Sequence, residues 1–156
     1  MEVLLLKKIV LDINYIVDDI LSVIPTKVIY EQSDKTQTEE IHFELNLGGY
    51  NIITRVHTEI EYAIKYLQKS LPSNMSIACC QSCRHGNFCP YGDNDNEVFC
   101  FKDITPNNKD DVCEVFYKDS VFIKGRGRKL LDFCIEYKPI LHDEYYTYND
   151  WGLESL

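Results

Sequence analysis

The chain has 156 residues, 45% of them hydrophobic and 12% aromatic, and its 25 acids against 16 bases give a formal charge of −9. That apolar content excludes disorder and supports one substantial core over residues 1–156, while the acidic balance makes phosphate backbones and anionic lipid surfaces poor partners. The apolar opening MEVLLLKKIVLDINYIVDDILSVIP is interrupted by Lys7, Lys8, Asp12, Asp18 and Asp19 and has neither a basic lead nor a small-residue cleavage site, so it reads as neither a bilayer span nor a targeting segment, and a cytoplasmic protein is expected.

Ile13, Ile16, Val17, Ile20, Leu21 and Ile24 recur at helical spacing and predict an amphipathic helix stopped by Pro25. Lys27 to Glu31 is a short β-branched and aromatic run. After a polar loop, Ile41, Phe43, Leu45 and Leu47 alternate against His42, Glu44 and Asn46, and the two runs predict an antiparallel hairpin with one wet face. Gly48-Gly49 ends the strand, and Asn51 is the expected N-cap of a second helix carrying Ile53, Val56, Ile60, Ala63, Ile64, Leu67 and Leu71 on one face, with Glu61 and Lys65 on the exposed side and Pro72 at its end. His57 on that helix is assigned no role.

Met75 to Cys80 and Val98 to Lys102 read as strands entering and leaving a cysteine-rich loop. VCEVFYK and VFIK flank Asp119-Ser120, a pair short enough for a hairpin turn, and LLDFCIEY alternates as a further strand. Helices early and strands later predict an α+β fold: an antiparallel sheet with two helices from the N-terminal half packed on it and the cysteine loop between strands.

Five of the seven cysteines fall between Cys79 and Cys100. Cys80-Gln-Ser-Cys83 is a C-x2-C knuckle, and Gly86, Pro90 and Gly92 let the chain fold back toward Cys89 and Cys100. Four thiolates suit tetrahedral Zn²⁺, so Cys80, Cys83, Cys89 and Cys100 are the expected ligands of a structural zinc, with His85 competing for the place of Cys89. A redox dithiol at Cys80 and Cys83 is the alternative, although no helix follows to lower a thiol pKa. A cysteine nucleophile served by His85 lacks an orienting third group. Cysteine is also a small, readily buried hydrophobe; that reading covers Cys113 and Cys134 and competes equally with zinc for Cys80, Cys83 and Cys89. Gly125-Arg126-Gly127-Arg128-Lys129, the one tight basic group, reads as a solvated turn, and no phosphate-binding Gly loop, Ser elbow or His-x-x-x-His helix occurs.

The run Cys80, Cys83, Arg84, Gly86, Phe88, Pro90, Tyr91, Gly92 and Phe99-Cys100-Phe101, C-x-x-C-R-x-G-x-F-x-P-Y-G…F-C-F, resembles a pattern of small acidic bacterial proteins, some similar to immunity proteins encoded beside polymorphic toxins. In that pattern the position of Cys89 need not be cysteine. The resemblance implies a cytoplasmic, non-enzymatic protein that binds a protein partner, such as a cognate toxin with a basic surface, through acidic complementarity. The tail has the composition of an interface: Tyr145, Tyr146 and Trp151 as anchors, Asp143, Glu144 and Asp150 as steering charges. Local packing of that tail over the core is the competing expectation. The alternative function is a cysteine-dependent redox or zinc-dependent enzyme using the loop from Cys80 to Cys100.

Overall fold

The computed structural model describes residues 4–92, 96–118 and 120–153. The chain divides into two compact units, 1–77 and 78–156. A five-stranded sheet and a three-stranded sheet, antiparallel in every pair named below, are accompanied by a few helices, so the α+β class holds.

The first unit opens with a long hairpin. β1 (Leu4–Val17) and β2 (Ile20–Ser33) pair from Leu4 opposite Ser33 to Val17 opposite Ile20. Between them Asp18 and Asp19 both take positive φ, 50° and 64°, forming a mirror-image two-residue turn whose twist matches that of paired strands. The helix expected from Ile13 to Ile24 is therefore corrected to a hairpin. Its residues do recur at helical spacing, but Ile13, Ile16, Val17, Ile20, Val23 and Ile24 are β-branched and stiff at χ1, which favours extended backbone, and Asp is among the few residues that tolerate the left-handed turn. Pro25 stops nothing: it sits in β2 opposite Asp12, before Lys27 where the ladder to the next strand begins, so its missing N–H can face the unpaired side.

β3 (Glu39–Leu47) pairs with β2 as the alternation predicts, and returns through Gly48 and Gly49 (φ 56° and 92°) into β4 (Tyr50–Ile53). The expected N-cap Asn51 thus lies in a strand opposite Asn46, whose side-chain oxygen accepts the Gly49 N–H at 3.0 Å. The helix starts later, as α1 (Ile60–Ser70), and it is the only helix of the first unit among the described residues. His57 serves its entry: Nδ1 accepts the Glu59 N–H at 2.9 Å, and the ring stacks on Tyr62 at 4.8 Å. β5 (Met75–Ala78) closes the order β4-β3-β2-β1-β5.

The register sorts side chains onto two faces, because directly opposed residues in an antiparallel pair point the same way. Ile13, Tyr15, Val28, Phe43, Leu45 and Ile52 share the inner face and are buried; Tyr15 and Phe43 are wholly inaccessible. Tyr15 keeps its hydroxyl satisfied by Thr26 at 2.7 Å. α1 adds Ala63, Ile64 and Leu67 to the core, and its Lys65, expected on the wet side, is buried with Nζ 3.6 Å from Glu61.

The second unit begins with a single 3-10 turn at Cys80–Ser82, followed by β6 (Gly86–Asn87), β7 (Glu97–Cys100), α2 (Lys109–Lys118), α3 (Ser120–Lys124) and β8 (Gly127–Lys129), with sheet order β6-β7-β8. The strands expected over VCEVFYK and VFIK are corrected to α2 and α3. Asn108 caps α2 by accepting the Asp111 N–H at 2.9 Å, Asp110 and Asp111 occupy the N-terminal turn, and Glu114 pairs with Lys118 at 2.9 Å. Phe116 packs edge-on to Phe99 of β7 at 4.8 Å. Of the expected turn pair, Asp119 lies outside the described residues. LLDFCIEY is likewise corrected from strand to turns: Leu130 and Asp132 give their carbonyls to the N–H groups of Gln81 and Cys80, so the segment is tied to the cysteine loop and not to a sheet.

Candidate functional site

The cysteine loop is held at both ends by backbone bonds. Besides the ties to Leu130 and Asp132, Arg84 N–H donates to the Lys138 carbonyl at 2.7 Å and Cys83 bridges to Pro139. These contacts bring three separate stretches of chain around one cavity of about 170 Å³, with Cys80, Cys83, Cys100 and Cys134 in its wall. Three of the four expected zinc ligands therefore meet there. Cys89 does not line the cavity; it lies near Tyr91 and Cys113. Cys134, expected to be a packing residue, takes a place in the wall.

The zinc expectation is overturned. Among the described residues no group of three or more His, Cys, Asp or Glu side chains is arranged to hold a metal ion. All seven cysteines are free, and the surroundings of Cys79, Cys80 and Cys83 favour protonated thiols. Burial pushes Cys80 up to about 12, with the neighbouring Cys79 and Cys83 adding to it, and pushes Cys79 up to about 11 against the hydrogen bonds of Ser82. Burial raises Cys83 as well. His85, also in the wall, is shifted down by burial and then by Arg84 and Lys138, so it is neutral near pH 7 and adds no positive charge that would favour a thiolate.

The tail packs on this loop. Asn149, 7% exposed, donates from Nδ2 to the carbonyls of Gln81 at 2.7 Å and Gly86 at 2.9 Å. Thr147 donates to the Arg84 carbonyl at 2.8 Å, and Tyr148 N–H reaches Asn87 Oδ1 at 2.7 Å. The residues expected to meet a partner divide accordingly. Asp143, Glu144 and Tyr145 are exposed, the Tyr145 ring 3.9 Å from the Arg84 guanidinium, whereas Tyr146, Asp150 and Trp151 are half-buried. The basic group also finds internal work: Arg126 forks onto Asp103, with Nη2 at 2.9 Å from Oδ2, and Arg128 donates to the carbonyls of Gly125 and Gly127. That pairing holds the Asp103 carboxyl down at about 2.

The sequence reading passed over Arg84 and Lys138 as functional residues. Each is a lone cation in its own stretch, and only the bridge between their backbones makes them neighbours; the single local sign was the position of Arg84 directly after the C-x2-C knuckle. No family model, curated protein or solved structure matches the chain. No helix among the described residues is long and apolar enough to cross a membrane.

Proposed function

We propose that the protein acts by binding a protein partner and not by catalysis, in a reducing cytoplasmic setting that suits seven free thiols. The observation that carries this reading is the outer face of the five-stranded sheet. Leu6, Val10, Leu21, Val23 and Ile53 register onto the face opposite the core and are each between 50% and 62% exposed. Exposed apolar side chains gathered on one sheet face and interspersed with charged ones suit a protein-binding surface. Lys8, Lys27, Asp12, Glu31 and Glu44 share that face. With the net charge of −9, the complementary partner is a protein with a basic surface, as the toxin-immunity resemblance implies, and with apolar side chains to meet those of the sheet face. Asp143 and Glu144 are exposed and add to long-range steering.

The test is a pull-down with the product of the adjacent gene, followed by association rates across a salt series. Wild type is expected to bind, and to bind faster at 0.01 M than at 0.1 M salt, as the Debye length shrinks from ~30 Å to ~10 Å. Val10→Asp and Val23→Asp are expected to abolish capture while leaving the circular dichroism spectrum unchanged. Binding that survives both substitutions, or no binding by wild type, defeats the reading.

A redox role is the second reading, favoured by the cavity that gathers four thiols. It requires at least one of them to titrate near neutrality, against the raised values of Cys80 and Cys83. Rapid exchange of Cys80 or Cys83 with a small disulfide at pH 7 would establish it.

A further inference from the structure

Beside the thiol cavity lies a separate cleft of about 400 Å³, walled by Arg84, Lys102, Lys138, Tyr145 and Tyr146 and floored by Phe101. We infer that this cleft binds a small molecule through an oxyanion, a phosphate or carboxylate carried on an apolar or aromatic body. The cleft is built from residues of the second unit, whereas the sheet face assigned to a protein partner belongs to the first.

Of the cations of the cleft, Arg84 is held in place before any ligand arrives. Arg84 and Lys138 are backbone neighbours through the 2.7 Å bond from Arg84 N–H to the Lys138 carbonyl. The Arg84 guanidinium carbon lies over the Tyr145 ring, 3.9 Å from its centroid, and Nε donates to the Pro139 carbonyl at 3.3 Å. Ring and carbonyl hold the guanidinium in place, and among the described residues no hydrogen bond engages its two terminal nitrogens, the pair that grips an oxyanion in bidentate fashion. Lys138 has no ion pair or side-chain hydrogen bond among the described residues. Lys102 is held by Glu136 at 2.8 Å and so contributes little free charge. Glu144 is the carboxylate in the wall. Against it stand Arg84 and Lys138, so the cleft keeps a positive excess inside a chain whose acids outnumber its bases by 25 to 16. In such a chain two cations left unpaired in one concavity are the feature that needs a ligand to explain it. The depressed titration of His85, caused after burial by Arg84 and Lys138, agrees that the local field is positive. The body of the ligand meets Phe101, Ile104 and Pro106, apolar surface that solvated inorganic ions do not use.

The experiment is a titration of the ¹⁵N-labelled full chain with inorganic phosphate, phenyl phosphate and benzoate at constant ionic strength. Saturable shifts are expected at the amides of 84–87, 101–105 and 138, with phenyl phosphate or benzoate tighter than inorganic phosphate because their rings use the apolar wall. Which of the two rings binds tighter identifies the oxyanion as phosphate or carboxylate. Lys138→Gln and Arg84→Lys are each expected to weaken binding about tenfold, the second by losing the fork while keeping the charge, whereas Lys124→Gln, outside the cleft, is expected to change nothing. Linear, non-saturating shifts, or equal losses in all three variants, would overturn the site. Inorganic phosphate binding as tightly as phenyl phosphate and benzoate would overturn the role of the apolar wall.

Discussion

Gly86 leaves no room for a side chain, because a Cβ there would run into the backbone carbonyl oxygen of Cys80. Backbone cannot swing aside as a flexible side chain can, so Gly86→Ala is expected to cost roughly 1–3 kcal/mol, read as a lowered urea midpoint; an unchanged midpoint would show that the loop yields. The buried thiols make a second prediction. Cys79 and Cys80 titrate at about 11 and about 12 in the folded chain, against an ordinary value of 9.0. The folded state therefore prefers the neutral thiol. That contribution is complete below pH 9 and is lost as pH rises through 11 to 12. Stability is expected to fall along this alkaline limb, and Cys80→Ala to flatten it relative to wild type. Equal limbs in the two proteins would remove Cys80 from the cause. Among the thiols, exposed Cys134 is expected to react first with an aromatic disulfide at pH 7 and wholly buried Cys79 last.

The turn between β1 and β2 places Asp18 and Asp19 at positive φ, which Asn-Gly would adopt at less cost. The double substitution Asp18→Asn, Asp19→Gly is expected to add about 0.5–1 kcal/mol, and a loss of stability would mean that the charge on the Asp18 carboxylate, which accepts the Asn74 Nδ2–H at 3.0 Å, outweighs the backbone gain. At α2, Asn108→Ala is expected to cost about 1 kcal/mol by orphaning the Asp111 N–H. These two elements also show what a linear reading can and cannot see. β3 was legible because Ile41, Phe43 and Leu45 alternate cleanly and Gly48-Gly49 follows. The β1–β2 hairpin was not, since apolar residues on both faces of β1 and β2 satisfy a helical repeat as readily as a strand. VCEVFYK carries enough β-branched and aromatic residues for a strand, and the cap at Asn108 and the seat of Phe116 against Phe99 decide for a helix. In the site, Cys80, Cys83 and Cys100 were legible as a cluster. Cys134, Arg84 and Lys138 were not, because their neighbours lie far along the chain and are delivered by backbone bridges that no local spacing encodes.

At the scale of the chain, all but the last residue of the five-stranded sheet and the whole of α1 belong to the unit 1–77. A fragment ending at Cys79 is expected to fold alone, with slow amide exchange at Val28, Phe43 and Ile64. Failure to fold would instead favour the single cooperative domain over 1–156 that composition suggested. The second unit is closed differently. Its cysteine loop is fastened by Thr147 and Asn149, near the far end of the described chain, while the sheet partners of the first unit are complete by Ala78. On a ribosome this order has a temporal meaning. The first sheet can assemble while the remainder is still being made, but the thiol-bearing loop stays unsealed until Asn149 has left the exit tunnel. Its sulfurs are thus most vulnerable to oxidation in the nascent chain, and an arrested chain ending before Thr147 should show Cys79 reacting as fast as Cys134.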